Sequence, residues 1–306
     1  VLQASGRFGC LKRQAFEGDV IAITGSAGKT TTKNLVAAAL ATAGEVHATV
    51  GNQNNELGVP ITLSGLTNNH RFGVIEMGAG QPGDIAYLCQ LARPNVAVCL
   101  NASAAHLAHY DSVDAIATTK GEIFEGLAGN GLAVINADQK WLPQWREQAS
   151  TARQVTFGLA EDADYRATDI EHRGIEGSHF QLLTPAGSQP VSLQLAGEQH
   201  VKNALAALAI AIEIGVTPSD AARAVRATGA GAGRGAVTHL PGGGTVVDDS
   251  YNANPAAVNA ALQVLSRQPG YRVLVLGPML ELGEDSQSLH QEVGRNARQL
   301  GIEQLI

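Results

Sequence analysis

The chain has 306 residues, enough for about two domains, and 44% of them are hydrophobic while 16% are charged. Its formal net charge of −7 excludes the basic surface that DNA- or RNA-binding proteins need. The widely spaced Cys10, Cys89 and Cys99 predict neither a disulfide framework nor a metal knuckle, which fits a reducing cytoplasm. No apolar stretch approaches the roughly 20 residues that cross a bilayer. We therefore expect a cytoplasmic globular protein without nucleic-acid or membrane partners.

From residue 20 to about residue 138, short apolar runs alternate with helical patterns. The runs VIAIT, FGVIEMG, VAVCLN and LAVINAD are typical of buried strands, and amphipathic segments separate them. Such alternation predicts parallel βαβ units with helices on both faces of one sheet. The expected fold class is α/β, with a doubly wound, mostly parallel sheet.

The pattern changes after residue 152. Residues 152–195 contain short alternating runs bounded by turns, which predict a small antiparallel β-sheet next to the main one. Helical periodicity returns at 201–214 and 218–227, and the dense glycines of 229–235 then predict a hinge. Strand and helix patterns resume beyond the hinge and predict the start of a second α/β domain.

These patterns divide the chain into three parts. We expect a short helical lead-in at residues 1–16, a central domain at 17–232, and part of a second α/β domain at 236–306. The lead-in is too short for a complete domain, and the last residues read as a strand that has just begun. The pattern therefore favours a longer native protein, cut at both ends.

Residues 20–33, VIAITGSAGKTTTK, predict a phosphate-binding loop between a strand and a helix. Glycines let the backbone turn so that N–H groups face an anion at the helix N-terminus. Lys29 then reaches the β- and γ-phosphates of ATP, and the Thr30 hydroxyl holds Mg²⁺. The spacing GxxGKT is two residues shorter than the usual loop, and the alternative is a glycine-rich turn with a solvated lysine. The expected ATP ligands here are Gly25, Ser26, Ala27, Gly28, Lys29, Thr30 and Thr31.

Two potential metal ligands follow other strands of the sheet. Glu76 ends the strand FGVIE, and His106 lies in the loop after VAVCLN, so both belong to the edge where ligands of such folds collect. A carboxylate there can bind Mg²⁺, and a neutral imidazole can bind a second ion. The alternatives are a solvated or helix-capping Glu76 and a structural His106.

Lys120, in the segment ATTKGEIF, lies on the helix after that loop. By itself it would be a surface lysine. Next to two Mg²⁺ ions, however, its amine would be driven toward the neutral form. A neutral amine can add CO₂ to form a carbamate, which turns a repelled cation into a metal ligand.

Several segments together resemble the Mur ligases, from about residue 17 to the end of the chain. They are TGSAGKTTTK, GNQNNELGVP, VIEMGAGQPGDI, AAHLAHYDS, KGEIFEGL, NALAALA, DDSYNANP and LGPMLELGEDSQSLHQEVG. The resemblance implies three domains, of which the first holds a UDP-sugar, the second is an ATPase and the third is Rossmann-like and closes over ATP. In this chain we expect the first to be absent and the third to be partial.

The resemblance implies a monomeric, cytoplasmic, ATP-dependent peptide ligase of peptidoglycan precursor synthesis. Its substrates would be UDP-N-acetylmuramoyl-tripeptide and D-alanyl-D-alanine, joined through an acyl phosphate with ATP and two Mg²⁺ ions. Two alternatives remain open. One is another Mur-type ligase that extends an amino-acid or polyglutamate chain, and the other is a nucleotide-binding fragment without ligase activity.

The resemblance also assigns roles to individual residues. Lys29, His106 and Lys120 become catalytic residues, with Lys120 as the carbamylated lysine of the family. The implied metal ligands are Thr30, Glu76, His106 and Lys120.

The remaining assignments are further contacts to the nucleotide. Asn203 would lie near the adenine, and Arg234 and Asp249 would approach ATP when the second domain closes. Without the resemblance, Asn203 would be a polar residue on an exposed helix face and Arg234 a solvated loop residue. The sequence GEQHVKN departs from the common family pattern GxHNxxN near Asn203, and LGPM and GAGQPGD also depart from the usual text.

Overall fold

The structure is a computed structural model that describes residues 2–103 and 110–306, apart from the side chain of Glu284. Its main feature is a sheet of nine strands in the order β2-β3-β1-β4-β5-β6-β7-β8-β9. The strands are β1 (Asp19–Thr24), β2 (Val46–Ala48), β3 (Phe72–Glu76), β4 (Val96–Cys99), β5 (Leu132–Asn136), β6 (Arg153–Gly158), β7 (Tyr165–His172), β8 (Ser178–Thr184) and β9 (Gly187–Leu193).

The sheet is parallel from β2 to β7 and antiparallel from β7 to β9. The predicted mostly parallel sheet is therefore confirmed. Antiparallel strands do lie next to it, but they begin later than the predicted residues 152–195, because β6 pairs in parallel with both β5 and β7. These strands join the edge of the main sheet through a short ladder in which Phe157 pairs with Tyr165 and Gly158 with Arg166. The antiparallel part thus extends the parallel sheet.

Helices cover both faces of the main sheet. They are α1 (Leu2–Ala15), α2 (Lys29–Leu40), α3 (Gly58–Ser64), α4 (Asp84–Ala92), α5 (Val113–Glu125), α6 (Leu142–Gln148), α7 (Glu198–Glu213) and α8 (Pro218–Ala227). Because successive side chains of a strand point to opposite faces, Ile21 and Ile23 join one core while Val20 and Ala22 join the other. One core packs against α2, α7 and α8, and the other against α3 to α6. This is the doubly wound arrangement that the sequence predicts.

Residues after α8 form a smaller unit. It contains β10 (Ala236–His239), β11 (Thr245–Asp248), α9 (Pro255–Ser266), β12 (Val273–Leu274), α10 (Ser286–Gln299) and β13 (Gln304–Leu305). The strands pair as an antiparallel β10-β11 ribbon and a parallel β12-β13 pair. A separate core that includes Leu262, Met279 and Val293 lies under α9 and α10. In the described part of the chain, no helix has the length and apolarity to cross a membrane.

We expect Leu205→Ala to destabilise the protein by about 3 kcal/mol, because it leaves a cavity in a core that cannot fully collapse. Leu205 lies on α7 and is 0% exposed. The measurement is urea unfolding, with Ile61→Ala as the control, since Ile61 is 52% exposed on α3. Equal loss of unfolding free energy in the two variants would contradict the packing of α7.

Candidate active site

The predicted phosphate-binding loop connects β1 to α2. Gly28 precedes the helix with φ at 83°, and a Cβ at this position would lie 2.5 Å from Oδ1 of Asn203. Only glycine tolerates both conditions. In the described part of the chain, no side chain caps the N-terminus of α2. Its first N–H groups therefore point at a site that suits an anion.

Asn101, which follows β4, fixes the shape of the loop. Its backbone oxygen accepts from the N–H of Ser26 at 3.0 Å, and its side-chain oxygen accepts from the N–H of Ala27 at 2.9 Å. Its side-chain NH₂ group donates a hydrogen bond to the backbone oxygen of Ala27 at 3.1 Å. Two of the backbone amides predicted to bind phosphate, those of Ser26 and Ala27, therefore donate to Asn101 instead. Asn101 was not predicted from the sequence, and its position at the end of a strand was the available signal.

Lys29 folds back over the loop, where its Nζ donates to the oxygen of Gly25 at 2.8 Å. Desolvation is the main cause that lowers the pKa of Lys29, and the charge of Arg234 lowers it further, while Glu76 acts in the opposite direction. A cation that is stripped of water gains more from an anionic ligand than a solvated one does.

Glu76 is the centre of the hydrogen-bond network at the end of β3, and its exposed fraction is 1%. One carboxylate oxygen accepts from the Thr30 hydroxyl at 2.8 Å, and the other accepts from the Asn54 amide at 2.8 Å. Its backbone N–H donates to the Thr49 hydroxyl at 3.0 Å. Glu76 and Thr30, which were predicted to share a metal, are therefore neighbours.

Asn54 and Lys33 belong to this network but were not predicted from the sequence. Lys33 lies one helical turn after Lys29, is 4% exposed, and donates from Nζ to the oxygen of Thr49 at 2.6 Å. This bond fixes Thr49, which lies at the start of the loop that places Asn54 next to Glu76. The asparagine-rich segment GNQNN was the available signal for Asn54.

Lys120 is buried on α5, with 4% of its surface exposed, so the surface-lysine alternative is wrong. Burial and then the charge of Lys29 lower its pKa to about 7. Near neutral pH a large fraction of this amine is therefore uncharged, which is the form that reacts with CO₂. Cys99 lies nearby, but burial raises the pKa of its thiol to about 12 and keeps it neutral.

His106 lies outside the described residues. Within residues 2–103 and 110–306, no group of three His, Cys, Asp or Glu side chains is arranged to hold a metal ion. Of the predicted metal ligands, Glu76 and Thr30 lie together and offer a carboxylate and a hydroxyl, which are donor types that Mg²⁺ prefers. This pair fits a magnesium ion.

A cleft of about 770 Å³ contains the predicted residues that the structure describes. Asn203 reaches it from α7 and is only 6% exposed, so it is not on an exposed helix face. Arg234 and Asp249 reach it from the smaller unit. Burial raises the pKa of Asp249, and the charge of Arg234 opposes that rise. The predicted site residues that line the cleft are Gly25, Ser26, Ala27, Gly28, Lys29, Thr30, Thr31, Glu76, Lys120, Asn203, Arg234 and Asp249.

The chemistry of the cleft follows from its charges. The side chains of Lys29 and Arg234, and Lys120 when it is protonated, bring positive charge to the cleft next to the open N-terminus of α2. Such an arrangement attracts a polyanion, and Glu76 with Thr30 can hold the divalent cation that accompanies a polyphosphate. Asn203, whose Oδ1 would lie 2.5 Å from a Cβ at Gly28, offers an amide next to this loop that can donate and accept hydrogen bonds.

We expect Lys120→Met to be more stable than the wild-type chain by about 3 to 5 kcal/mol at pH 6, and this advantage to shrink between pH 7 and 10. Below pH 7 the folded and unfolded wild-type chains both hold the proton, so folding buries a charge. As the pH rises above 7, the folded amine loses its proton before the unfolded one and the penalty disappears. Urea unfolding in CO₂-free buffer measures the difference.

The exposed Lys12→Met is the control for this experiment, because its charge is solvated on α1. The difference in unfolding free energy between Lys12→Met and the wild type, measured over the same pH range, is the baseline for Lys120→Met. A pH-independent difference for Lys120→Met would show that the buried amine does not titrate near pH 7.

Two family models match the chain. The Mur ligase middle domain matches residues 23–211, and the Mur ligase, glutamate ligase domain matches residues 233–306. Among curated relatives, the UDP-N-acetylmuramoyl-tripeptide--D-alanyl-D-alanine ligase of Escherichia coli is 41% identical over 99% of this chain and 67% of its own length. The enzyme of the same name from Bacillus subtilis is 35% identical over 90% of this chain and 59% of its own length.

Solved structures agree with these matches. MurF from Acinetobacter baumannii superposes with a TM-score of 0.95 at 36% identity, over 99% of this chain and 66% of that one. MurF ligase from Thermotoga maritima in complex with ADP gives a TM-score of 0.86 at 30% identity, over 100% of this chain and 74% of that one. The chain thus spans about two thirds of the length of these relatives. It belongs to the Mur ligase family.

Proposed function

We propose that the chain is part of an ATP-dependent ligase that joins UDP-N-acetylmuramoyl-tripeptide to D-alanyl-D-alanine in peptidoglycan precursor synthesis. The observation that carries this proposal is the cleft in which Lys29, Lys120 and Arg234 converge near the Glu76–Thr30 pair. The relatives that bear this enzyme name match nearly the whole chain at 34 to 41% identity, and one structural relative was solved with ADP.

The proposed reaction has two steps. The terminal carboxylate of the tripeptide attacks the γ-phosphorus of ATP, which forms an acyl phosphate and releases ADP. The neutral amine of D-alanyl-D-alanine then attacks the acyl carbon, and its nitrogen releases a proton to solvent. Collapse of the tetrahedral intermediate expels inorganic phosphate and leaves the amide. Catalysis of such transfers comes mainly from orientation and from charge that stabilises the phosphoryl oxygens.

Each predicted site residue that the structure describes has a role in this reaction. The loop Gly25 to Gly28 and the first turn of α2, with Thr31, surround the β- and γ-phosphates, which are held by the N–H groups that do not donate to Asn101. Lys29 turns from its contact with Gly25 toward them. Asn203 holds the adenine. Arg234 and Asp249 approach ATP from the smaller unit when it closes over the nucleotide.

Magnesium belongs to the proposal as well. Thr30, Glu76, His106 and a carbamylated Lys120 would hold two ions, which supply positive charge to the phosphates when bound. Asn54 keeps the Glu76 carboxylate in place from its far side, at 2.8 Å. The network thus orients the carboxylate before any ion arrives.

The domain boundaries, the cellular location and the oligomeric state of the protein are also proposals. The family models at residues 23–211 and 233–306 support a central domain at 17–232 and a second domain at 236–306, with residues 1–16 as a lead-in. We further propose that the protein acts in the cytoplasm, as a monomer.

We expect Lys29→Ala to weaken MgATP binding by about 10- to 100-fold, because a desolvated charge-assisted contact to phosphate is lost. Isothermal titration measures the affinity, and the exposed Lys12→Ala serves as the control. The same variants are then assayed for release of phosphate with both proposed substrates, on the 306-residue chain and on a version extended at both ends. Phosphate release that is independent of either substrate, or unchanged by Lys29→Ala, would contradict the proposed function.

We expect Lys120 to carry a carbamate in the presence of bicarbonate. The neutral amine attacks CO₂, a nitrogen–carbon bond forms, and the amine proton leaves to solvent. With ¹³C-bicarbonate, the NMR spectrum gains a carbamate carbon signal that Lys120→Ala lacks and the control Lys33→Met keeps. Added short carboxylates restore part of the activity of Lys120→Ala. A spectrum identical to that of Lys120→Ala would show that the amine stays unmodified.

A further inference from the structure

A ring and a guanidinium are stacked at the mouth of the cleft. The guanidinium carbon of Arg234 lies 3.7 Å from the centre of the Tyr251 ring. Both residues line the cleft, and 48% of the tyrosine remains exposed. This distance is van der Waals contact between two planar groups, a favourable arrangement for arginine on an aromatic face.

The backbone joins these two residues into one rigid element. Tyr251 donates its N–H to the oxygen of Gly233 at 3.0 Å, and Gly235 donates to the oxygen of Asp248 at 2.8 Å. These bonds continue the β10-β11 ladder on both sides of Arg234. Gly233 has φ at 68°, and a Cβ there would lie 3.2 Å from Cβ of Tyr251, so the close approach depends on glycine.

This geometry bears on the hinge predicted at residues 229–235. The hydrogen bonds of residues 233 and 235 to Tyr251 and Asp248 fix Arg234 to the end of β11 that precedes Asp249. If the two parts of the chain rotate, we expect the pivot to lie before residue 233.

Arg234 also reaches the phosphate-binding loop electrostatically. Its charge is one of the causes that lower the pKa of Lys29 and of Lys33. A long arginine side chain would otherwise sample many rotamers, and ordering it on ligand binding costs affinity. The stacked ring removes part of that cost in advance.

We propose that Tyr251 is a positioning residue that holds the Arg234 guanidinium toward the phosphates of the bound nucleotide. This inference rests on the proposed function, because it takes MgATP as the ligand of the cleft. Tyr251 acts through the arginine and does not touch the nucleotide itself. The flat face of the ring is what it contributes, so its hydroxyl is dispensable.

The test compares Tyr251→Leu with Tyr251→Phe, by isothermal titration with MgATP and with AMP on the full 306-residue chain. Tyr251→Leu weakens MgATP binding about fivefold and leaves AMP binding unchanged, because AMP lacks the distal phosphates. Tyr251→Phe keeps the ring and binds both nucleotides like the wild type. Loss of AMP affinity in Tyr251→Leu would mean a general disturbance of the cleft and would overturn the proposal.

A double-mutant cycle separates positioning from direct contact. With Arg234→Met as the background, Tyr251→Leu has no further effect on MgATP affinity, since the residue that it positions is gone. Additive losses would show that Tyr251 contacts the ligand itself, which overturns the proposal. If the wild-type chain fails to bind MgATP, the proposed function fails. If it binds and Tyr251→Leu binds equally well, only the role of Tyr251 fails.

Discussion

The bond between Thr30 and Glu76 is the interaction on which the site depends. It ties the first turn of α2 to the end of β3, so the predicted phosphate-binding loop and the Glu76 carboxylate are held next to each other. Glu76 is 1% exposed, and a carboxylate so deeply buried is tolerated only with hydrogen bonds and positive charge around it. The Asn54 amide and the nearby Lys29 supply both. The charged groups therefore stabilise one another's burial.

The same cleft contains more positive charge than the protein alone favours. Burial lowers the pKa of Lys29 and Lys120 in the cleft, in the case of Lys120 to about 7, and also that of Lys33 one helical turn beyond Lys29. Folding thus stores unfavourable electrostatic energy at this edge of the sheet, as active sites commonly do. An anionic ligand relieves it. The apolar cores on both faces of the sheet supply the stability that makes this arrangement tolerable.

Much of the site was visible in the sequence because it lies in contiguous motifs. The loop residues Gly25 to Thr30 are adjacent in the chain, and their chemistry follows from local turn and helix geometry. Asn101 and Lys33 were missed for the opposite reason. An asparagine after a strand and a lysine within a helix are common, and each gains its role only from a partner distant in sequence, Ala27 or Thr49.

The sequence by itself determined the alternation of strands and helices, and with it the doubly wound sheet, because hydrophobic periodicity is a local property. It also placed the phosphate-binding loop at the end of β1. Only the tertiary structure decided that Lys120 is buried and that Arg234 stacks on Tyr251. Burial and stacking depend on which elements pack together, and a lysine on a helix has the same local pattern whether solvent or another cation faces it.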